Sequence, residues 1–158
     1  MAKISKIMDT NVLTLKKEAK ISDAAKIIAN NPSGCIIVVE GKKPLGIITE
    51  SDIVRNLLYK KRSPNEKVAK IMCSPITTIS PDTKLEKANK IIDTKHFRRY
   101  PVVENEKLLG IITENSIVHA LNDNIKFHRN IQNIVLMAFV TFELFIFILY
   151  GHLINPLF

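Results

Sequence analysis

A chain of 158 residues with 46% apolar side chains can bury a hydrophobic core, as one domain or as two small half-domains. Its formal charge of +8 suits an acidic partner, namely a nucleotide phosphate, an anionic membrane or nucleic acid, but a plain soluble basic surface explains it equally well. The two cysteines form no Cys-x-x-Cys motif and no signal peptide is recognised, which argues against a disulfide framework and indicates a reducing compartment. The four histidines lack metal-ligand spacing, so we expect no metal.

The chain contains an internal repeat with an offset of 64 residues. The sequence G-I-I-T-E-S-D-I-V-R at residues 46–55 returns as G-I-I-T-E-N-S-I-V-H at residues 110–119. Over residues 6–54, 21 of the 49 positions are identical to their partners, far more than chance would give. Self-similarity at a fixed period indicates a repeated structural unit. We therefore expect two copies of one fold.

In chain order, the first copy predicts the element order β-α-β-β-α. An extended lead-in at residues 4–15 precedes a helix for which Ser22 is the expected N-cap. Apolar, β-branched runs predict strands at residues 35–39 and 45–49, and a closing helix follows at residues 51–59. Four apolar side chains of this closing helix are expected to face inward: Ile53, Val54, Leu57 and Leu58.

The second copy predicts the same elements, with a short strand at residues 76–79, a strand pair at 100–103 and 108–113, and a closing helix from residue 116. The proline-containing basic stretch between the copies cannot continue a helix and is expected to be a linker. The expected organisation is repeat one at 3–59, linker at 60–66, repeat two at 67–121, polar linker at 122–130 and hydrophobic helix at 131–154.

Several short motifs give the repeat a family resemblance. They are I-M before each copy, V-V-E before each turn, L-G-I-I-T-E in both copies, Asp52 completing T-x-x-D, and H-F-R-R-Y-P-V-V at residues 96–103. About three quarters of the chain resembles a tandem pair of CBS domains. This resemblance implies an α+β fold of two β-α-β-β-α units in a pseudo-twofold pair, with two clefts at the seam and commonly a homodimer. It also implies regulation by a bound adenosine compound (AMP, ADP, ATP or S-adenosylmethionine), with no required cofactor.

The first cleft is expected to form around the T-x-x-D motif of repeat one. An ionised Asp52 could accept both hydroxyls of a ribose, and the Thr49 hydroxyl could bond to ribose or phosphate at a helix N-terminus. The small Gly46 would permit close approach, and Ile47 and Ile48 could flank a base. The alternative is an ordinary helix start, in which a threonine and an acid cap the helix and nothing binds.

The second cleft departs from this pattern, because Ser116 stands where repeat one has Asp52. Resemblance assigns phosphate contacts to Arg98 and Arg99, which are good bidentate donors, although a solvated basic turn is an equal alternative. We expect the Asp52 cleft to bind and the Ser116 cleft to be weak, empty or selective for another ligand. The candidate ligand-binding residues of repeat two are Arg98, Arg99, Tyr100, Pro101, Thr113 and Ser116.

Residues 131–150 are apolar on all sides, and Glu143 is their only charged side chain. Twenty such residues are about long enough to span a bilayer, and the basic Lys126 and Arg129 before them would hold the repeats in the cytoplasm. Glu143 would then be an intramembrane acid that faces a partner or another helix. The alternative is an oligomerisation helix in a soluble cytoplasmic protein.

These features together predict a non-enzymatic regulatory module that senses an adenosine nucleotide, as in energy sensing, and reports to a membrane or oligomeric partner. No nucleophile–base pair or glycine-rich phosphate loop is recognised. The alternative from another class is a structural adaptor that only dimerises, through the repeats and the C-terminal helix. Nucleic-acid binding is less expected, since no aromatic platform accompanies the basic clusters.

Overall fold

The computed structural model describes residues 2–95 and 97–154. They form a mixed α+β structure in two compact units, of which the second begins at His119. The first unit contains both repeats, and the second contains the greater part of one long helix.

Repeat one has the expected element order. Its strands form a three-stranded sheet in the order β1-β2-β3, with β1 parallel to β2 and β2 antiparallel to β3. The elements are β1 (Thr14–Lys16), α1 (Ile21–Ala29), β2 (Cys35–Glu40), β3 (Lys43–Thr49) and α2 (Glu50–Val54), which continues as a π-helical turn (Arg55–Tyr59).

Repeat two has α3 (Leu85–Lys95), the antiparallel pair β4 (Arg99–Glu104) and β5 (Lys107–Thr113), and α4 (Glu114–Ile154). The strand expected at 76–79 is reduced to one isolated bridge between Ile79 and Val102. In repeat one, the Ile37 N–H donates to the Leu13 carbonyl at 2.9 Å and extends the pairing. Pro101 occupies the equivalent position of repeat two and has no N–H to donate.

The apolar run of β2 is buried on both faces, which explains why it does not alternate with polar residues. Successive side chains point to opposite sides of a strand. Ile36 and Val38 therefore pack with α1 in the core of repeat one, whereas Cys35 and Ile37 pack against Ile111 of repeat two. The second face of β2 thus forms part of the seam between the repeats.

Each repeat is completed by the lead-in segment of the other. Asp9 of the first lead-in exchanges two backbone hydrogen bonds with Ile111, at 2.9 and 2.8 Å. Cys73 of the second lead-in does the same with Ile47, at 2.8 and 3.1 Å. These pairs are related by the same offset of 64 residues, so the contacts are reciprocal, as a pseudo-twofold arrangement requires.

The start of α1 differs from the expectation, because Lys20 and not Ser22 is its N-cap. The backbone carbonyl of Glu66 accepts from the Ile21 N–H, and that of Pro64 accepts from the Ser22 N–H, each at 2.9 Å. The linker therefore satisfies the free N–H groups of the first turn, which a serine hydroxyl would otherwise have to do.

The prediction that Val54 and Leu58 face inward is wrong, since they are 55% and 74% exposed. The change to π-helical hydrogen bonding after Val54 alters which of the following side chains turn toward the core, and Leu58 is among those turned outward. Ile53 stays buried, and Asn56 becomes the buried polar residue, with its amide donating to the Asp52 carbonyl at 2.8 Å.

Residues 122–130, which we expected to form a polar linker, are helical and belong to α4. They contain no glycine or proline that would interrupt a helix, so their polarity alone does not end it. The segment Glu114–Tyr150 is the one described helix long and apolar enough to cross a membrane, judged by length and composition. Core helices of soluble proteins can pass the same test.

Gly46→Ala and Gly110→Ala should each lower the free energy of unfolding by about 1–3 kcal/mol, through overpacking. A Cβ at Gly46 would lie 2.9 Å from the Cys73 carbonyl oxygen, and one at Gly110 would lie 2.7 Å from that of Asp9. Urea unfolding of the full chain in mild detergent, followed by circular dichroism, measures the change. Lys16→Ala, at an exposed position of β1, is the control and should stay within about 0.5 kcal/mol of the parent. Unchanged stability of both glycine variants would contradict the close approach.

Candidate functional site

The first unit contains a cleft of about 420 Å³ between the two repeats, a volume within the range of small-molecule sites. One wall is the junction of β3 and α2 in repeat one, and the other is the segment that leads into β4 in repeat two. The lining residues are Gly34, Ile47, Thr49, Glu50, Ser51, Asp52, Cys73, Phe97, Arg98 and Arg99.

Thr49 and Asp52 are held together by a capping box at the start of α2. The Thr49 hydroxyl donates to Asp52 Oδ2 at 2.7 Å, and the Thr49 N–H donates to the same oxygen at 3.0 Å. Both bonds use Oδ2, and the described residues offer no hydrogen-bond partner to Oδ1. The cap therefore fixes the orientation of the carboxylate and leaves one oxygen available at the cleft.

Arg99 reaches from repeat two across the backbone of Gly34 in repeat one. A Cβ built on Gly34 would lie 3.2 Å from a guanidinium nitrogen of Arg99 and 3.0 Å from a carboxylate oxygen of Glu50. Gly34 also has a φ of +59°, a backbone conformation that residues other than glycine adopt only at a cost in free energy. The missing side chain therefore gives a cation and an anion room at the same edge of the cleft.

Of the residues that the sequence singled out for the first cleft, Ile47, Thr49 and Asp52 line it, together with Arg98 and Arg99. The others do not line it. Gly46 is covered by Met72 and the Cys73 carbonyl, and Ile48 is fully buried in the core of repeat one. Tyr100 is fully buried, and the Pro101 carbonyl accepts from the Ile79 N–H at 3.0 Å.

A second cleft of about 540 Å³ lies beside the first and shares both arginines with it. Its other lining residues are Pro32, Ser33, Thr113, Glu114 and Asn115. Thr113 and Ser116 repeat the cap of the first cleft with neutral groups, since their hydroxyl oxygens are 2.6 Å apart and the Ser116 N–H donates to Thr113 Oγ1 at 3.1 Å. Ser116 itself is not among the lining residues.

Sequence reasoning missed five residues of the first cleft: Gly34, Glu50, Ser51, Cys73 and Phe97. Phe97 is 45% exposed and meets Tyr100 edge-on, with ring centroids 6.3 Å apart, so it offers an aromatic surface beside the arginines. Its position inside H-F-R-R-Y-P was a usable signal. The position of Cys73 depends on the exchange of lead-ins, which no local pattern shows.

The two thiols differ in environment. Burial raises the pKa of the Cys35 thiol, and the positive charge of Arg99 offsets part of that increase. Cys73 is exposed and lines the first cleft. The thiolate is the reactive form of cysteine, so the two residues should react at different rates.

A duplicated α+β unit with a mixed-charge cleft at its seam defines a tandem-repeat module. A family model of the CBS domain matches residues 4–59 and 68–123. The chain therefore belongs to the CBS-domain family, whose members are generally regulatory rather than catalytic and are typically cytosolic.

The relatives found by sequence include uncharacterized proteins of Methanopyrus kandleri and Methanocaldococcus jannaschii. The first is 35% identical over 64% of this chain and the second is 31% identical over 80%. The chain spans about half the length of these two relatives, 53% and 45%. An uncharacterized 17.7 kDa protein of Acidianus ambivalens is 32% identical over 77% of this chain and 74% of its own length.

Solved structures with the same fold include proteins with bound nucleotides. CBSX2 in complex with AMP has a TM-score of 0.68 at 22% identity, covering 78% of this chain and 98% of CBSX2. The cytosolic domain of the Mg²⁺ channel MgtE in complex with ATP has a TM-score of 0.65 at 18% identity, over 75% and 48%. A hexameric CBS-CP12 protein of bloom-forming cyanobacteria is 30% identical, with a TM-score of 0.65, over 75% and 70%.

At pH 8, a soluble alkylating reagent should modify Cys73 at least about tenfold faster than Cys35, because burial both shields Cys35 and keeps its thiol protonated. Peptide mass spectrometry over a time course measures the two rates. Denaturant should bring them close together, since it removes the burial. Equal rates in the folded chain would contradict the environment described for Cys35.

Proposed function

We propose that the chain is a regulatory module that binds an adenosine nucleotide in the first cleft. The observation that carries the proposal is the placement of Asp52 and Arg99 on the two walls of one cleft. A nucleotide has a pair of ribose hydroxyls that a carboxylate can accept, and phosphates that guanidinium groups can bind. The nucleotide complexes of CBSX2 and MgtE, which share the fold, support the same ligand class.

The comparison of the two caps supports a ligand role for the Asp52 charge. In repeat two the neutral Ser116 makes the equivalent cap with Thr113, so capping alone does not require a carboxylate. Asp52 keeps Oδ1 without a partner among the described residues, while its Oδ2 is held by Thr49. In our proposal Oδ1 accepts from the ribose, and Thr49 acts by holding Asp52 in place.

The other lining residues suit the remaining parts of the ligand. Arg98 and Arg99 bind phosphate, and Ile47 and Phe97 offer apolar surfaces for the base. S-adenosylmethionine shares the adenosine but carries no phosphate, so the arginines favour AMP, ADP or ATP over it. No separate cofactor is required in this scheme.

The second cleft is proposed to be weak or empty for the same ligand. It has the two shared arginines but no carboxylate in the position of Asp52. Ser116 is neutral and does not line this cleft, and Thr113 can offer a ribose only neutral hydrogen bonds, which are roughly half as strong as charge-assisted ones. Occupancy of about one nucleotide per chain follows.

Signalling is proposed to pass through a homodimer of chains anchored by the C-terminal helix, with the repeats in the cytoplasm. The exposed Val54, Leu58 and Tyr59 of α2 and its π-helical turn offer an apolar surface for that pairing. The length and composition of Glu114–Tyr150 support the anchor, and a soluble oligomer is the alternative. Sensing of cellular energy charge would follow if AMP and ATP compete for the first cleft.

The rival function is an adaptor that dimerises and binds no nucleotide. It is favoured by one observation, namely that the Asp52 cap is complete without any ligand. The two functions differ in whether removal of the Asp52 charge has a consequence beyond the stability of α2.

Asp52→Ser should weaken AMP binding about 10- to 100-fold, because the charge-assisted hydrogen bonds to the ribose are lost. The introduced serine should still cap α2 through Thr49, as Ser116 caps α4 through Thr113 in repeat two. Calorimetric titration of the full chain in mild detergent with AMP, ADP, ATP and S-adenosylmethionine gives affinity and stoichiometry. Ser116→Asp is the matched control and should leave the first cleft unchanged. Protection of Cys73 from alkylation by AMP provides an independent readout, because this thiol lines the cleft.

No binding of any of the four compounds to the parent chain would favour the adaptor. Binding that survives in Asp52→Ser but fails on substitution of Thr113 would place the nucleotide in the second cleft and contradict the proposed asymmetry.

Arg99→Gln should weaken AMP at least about tenfold and leave the weaker binding of adenosine unchanged, because only AMP has the phosphate. The ratio of the two dissociation constants isolates the phosphate contact from any general damage. Arg55→Gln, at an exposed position that does not line the cleft, is the charge-matched control. An equal loss for AMP and adenosine would show that Arg99 acts through the fold of the cleft.

A further inference from the structure

Three of the five polar side chains in residues 131–150 lie on one side of α4, whereas Asn133 and Thr141 lie elsewhere around the helix. Gln132, Glu143 and Tyr150 are separated by 11 and 7 residues, which are close to three and two whole turns at 3.6 residues per turn. They therefore lie on one stripe along the helix. Thr141, on the opposite side, already donates its hydroxyl hydrogen to the Ala138 carbonyl at 2.9 Å and needs no partner.

The same stripe has the spacing of a helix–helix seam. Gln132, Leu136, Phe139, Glu143, Ile146 and Tyr150 follow one another at alternating intervals of four and three residues. This is the a/d pattern by which two helices pack along their length, and a polar residue within such a seam sets register and oligomeric state. Five of these six side chains are exposed within the second unit, namely Gln132, Leu136, Phe139, Glu143 and Tyr150.

We infer that this stripe is the contact surface for a second copy of the same chain, with α4 paired in parallel and Glu143 facing Glu143. The inference rests on the proposed membrane anchoring but not on nucleotide binding. Chains that keep their repeats on the same side of a membrane enter it in the same direction, so their helices run parallel. In a parallel symmetric pair, residues on the seam meet their own equivalents at the same depth.

A second copy matches the chemistry of the stripe. Residues 131–150 contain no lysine or arginine, so Glu143 has no basic partner within the segment. A carboxyl group that carries its proton both donates and accepts a hydrogen bond, and the glutamine amide also does both. Gln132 and Glu143 can therefore each bond to the same residue of a copy, whereas a different protein would have to supply a matching group at each depth.

The test uses the purified full chain in vesicles of phosphatidylcholine and phosphatidylglycerol, in a Cys73→Ser background. Ile146→Cys lies on the stripe, and its neighbour Phe145→Cys lies about 100° away around the helix. Oxidation should cross-link Ile146→Cys at least about fivefold faster than Phe145→Cys, since a disulfide needs closely approached backbones. Equal rates would mean that the helices are only tethered near one another, and would overturn the seam.

Substitution of Glu143 tests the carboxyl contact. Glu143→Leu should lower the Ile146→Cys cross-linking rate roughly three- to tenfold, and Glu143→Gln should retain it, because glutamine also donates and accepts. Thr141→Val, on the opposite side, is the control and should have no effect. Loss in Glu143→Gln as large as in Glu143→Leu, or no loss in either, would overturn the pairing of Glu143 with its copy.

Failure of the anchor is detected separately, by extraction of the vesicles with alkaline carbonate. If the chain is extracted but Ile146→Cys still cross-links faster than Phe145→Cys, the membrane anchor of the proposed function is wrong and the seam is supported. A chain that resists extraction without that preference would leave the anchor in place and overturn the seam.

Discussion

The reciprocal exchange of lead-in segments is the contact on which the rest of the first unit depends. Met72 and the Cys73 carbonyl close over Gly46, while Met8 and the Asp9 carbonyl close over Gly110. Because each repeat borrows a segment from the other, the two cannot separate without breaking the backbone hydrogen bonds of Asp9 with Ile111 and of Cys73 with Ile47. The same exchange brings Cys73 into the first cleft. The cleft is therefore a consequence of how the repeats are joined, as well as of the residues on its walls.

On this symmetric scaffold the chemistry is asymmetric. The carboxylate of Asp52 has Ser116 as its counterpart, and the arginines at 98 and 99 replace Gly34 and Cys35. These differences change the charge at equivalent positions of the two repeats. The equivalent backbone hydrogen bonds remain, since the Gly34 carbonyl accepts from the Glu50 N–H and the Arg98 carbonyl accepts from the Glu114 N–H. Duplication thus preserved the frame, and a few side chains made its two clefts unequal.

Sequence analysis predicted the elements that depend on local pattern and repetition. The four long strands and the CBS fold are confirmed, because β-branched runs and the 64-residue offset specify them directly. The failures have a common cause in distant partners. Ser22 is not the cap because linker carbonyls supply the bonds. Gly46, which we expected to permit close approach of a ligand, lies against the Met72 side chain and the Cys73 carbonyl, and its ligand role stays a prediction. Neither partner is close in sequence.

The charges around the first cleft distinguish between acidic ligands that the net charge alone leaves open. A surplus of +8 suits any polyanion, but Arg98 and Arg99 share their cleft with Glu50 and Asp52. Carboxylates would repel the continuous phosphate backbone of a nucleic acid, which favours uniformly basic grooves. A mononucleotide presents hydroxyl donors at one end and phosphate oxygens at the other. Mixed charge in one cleft therefore supports our proposal of a small ligand with both kinds of group.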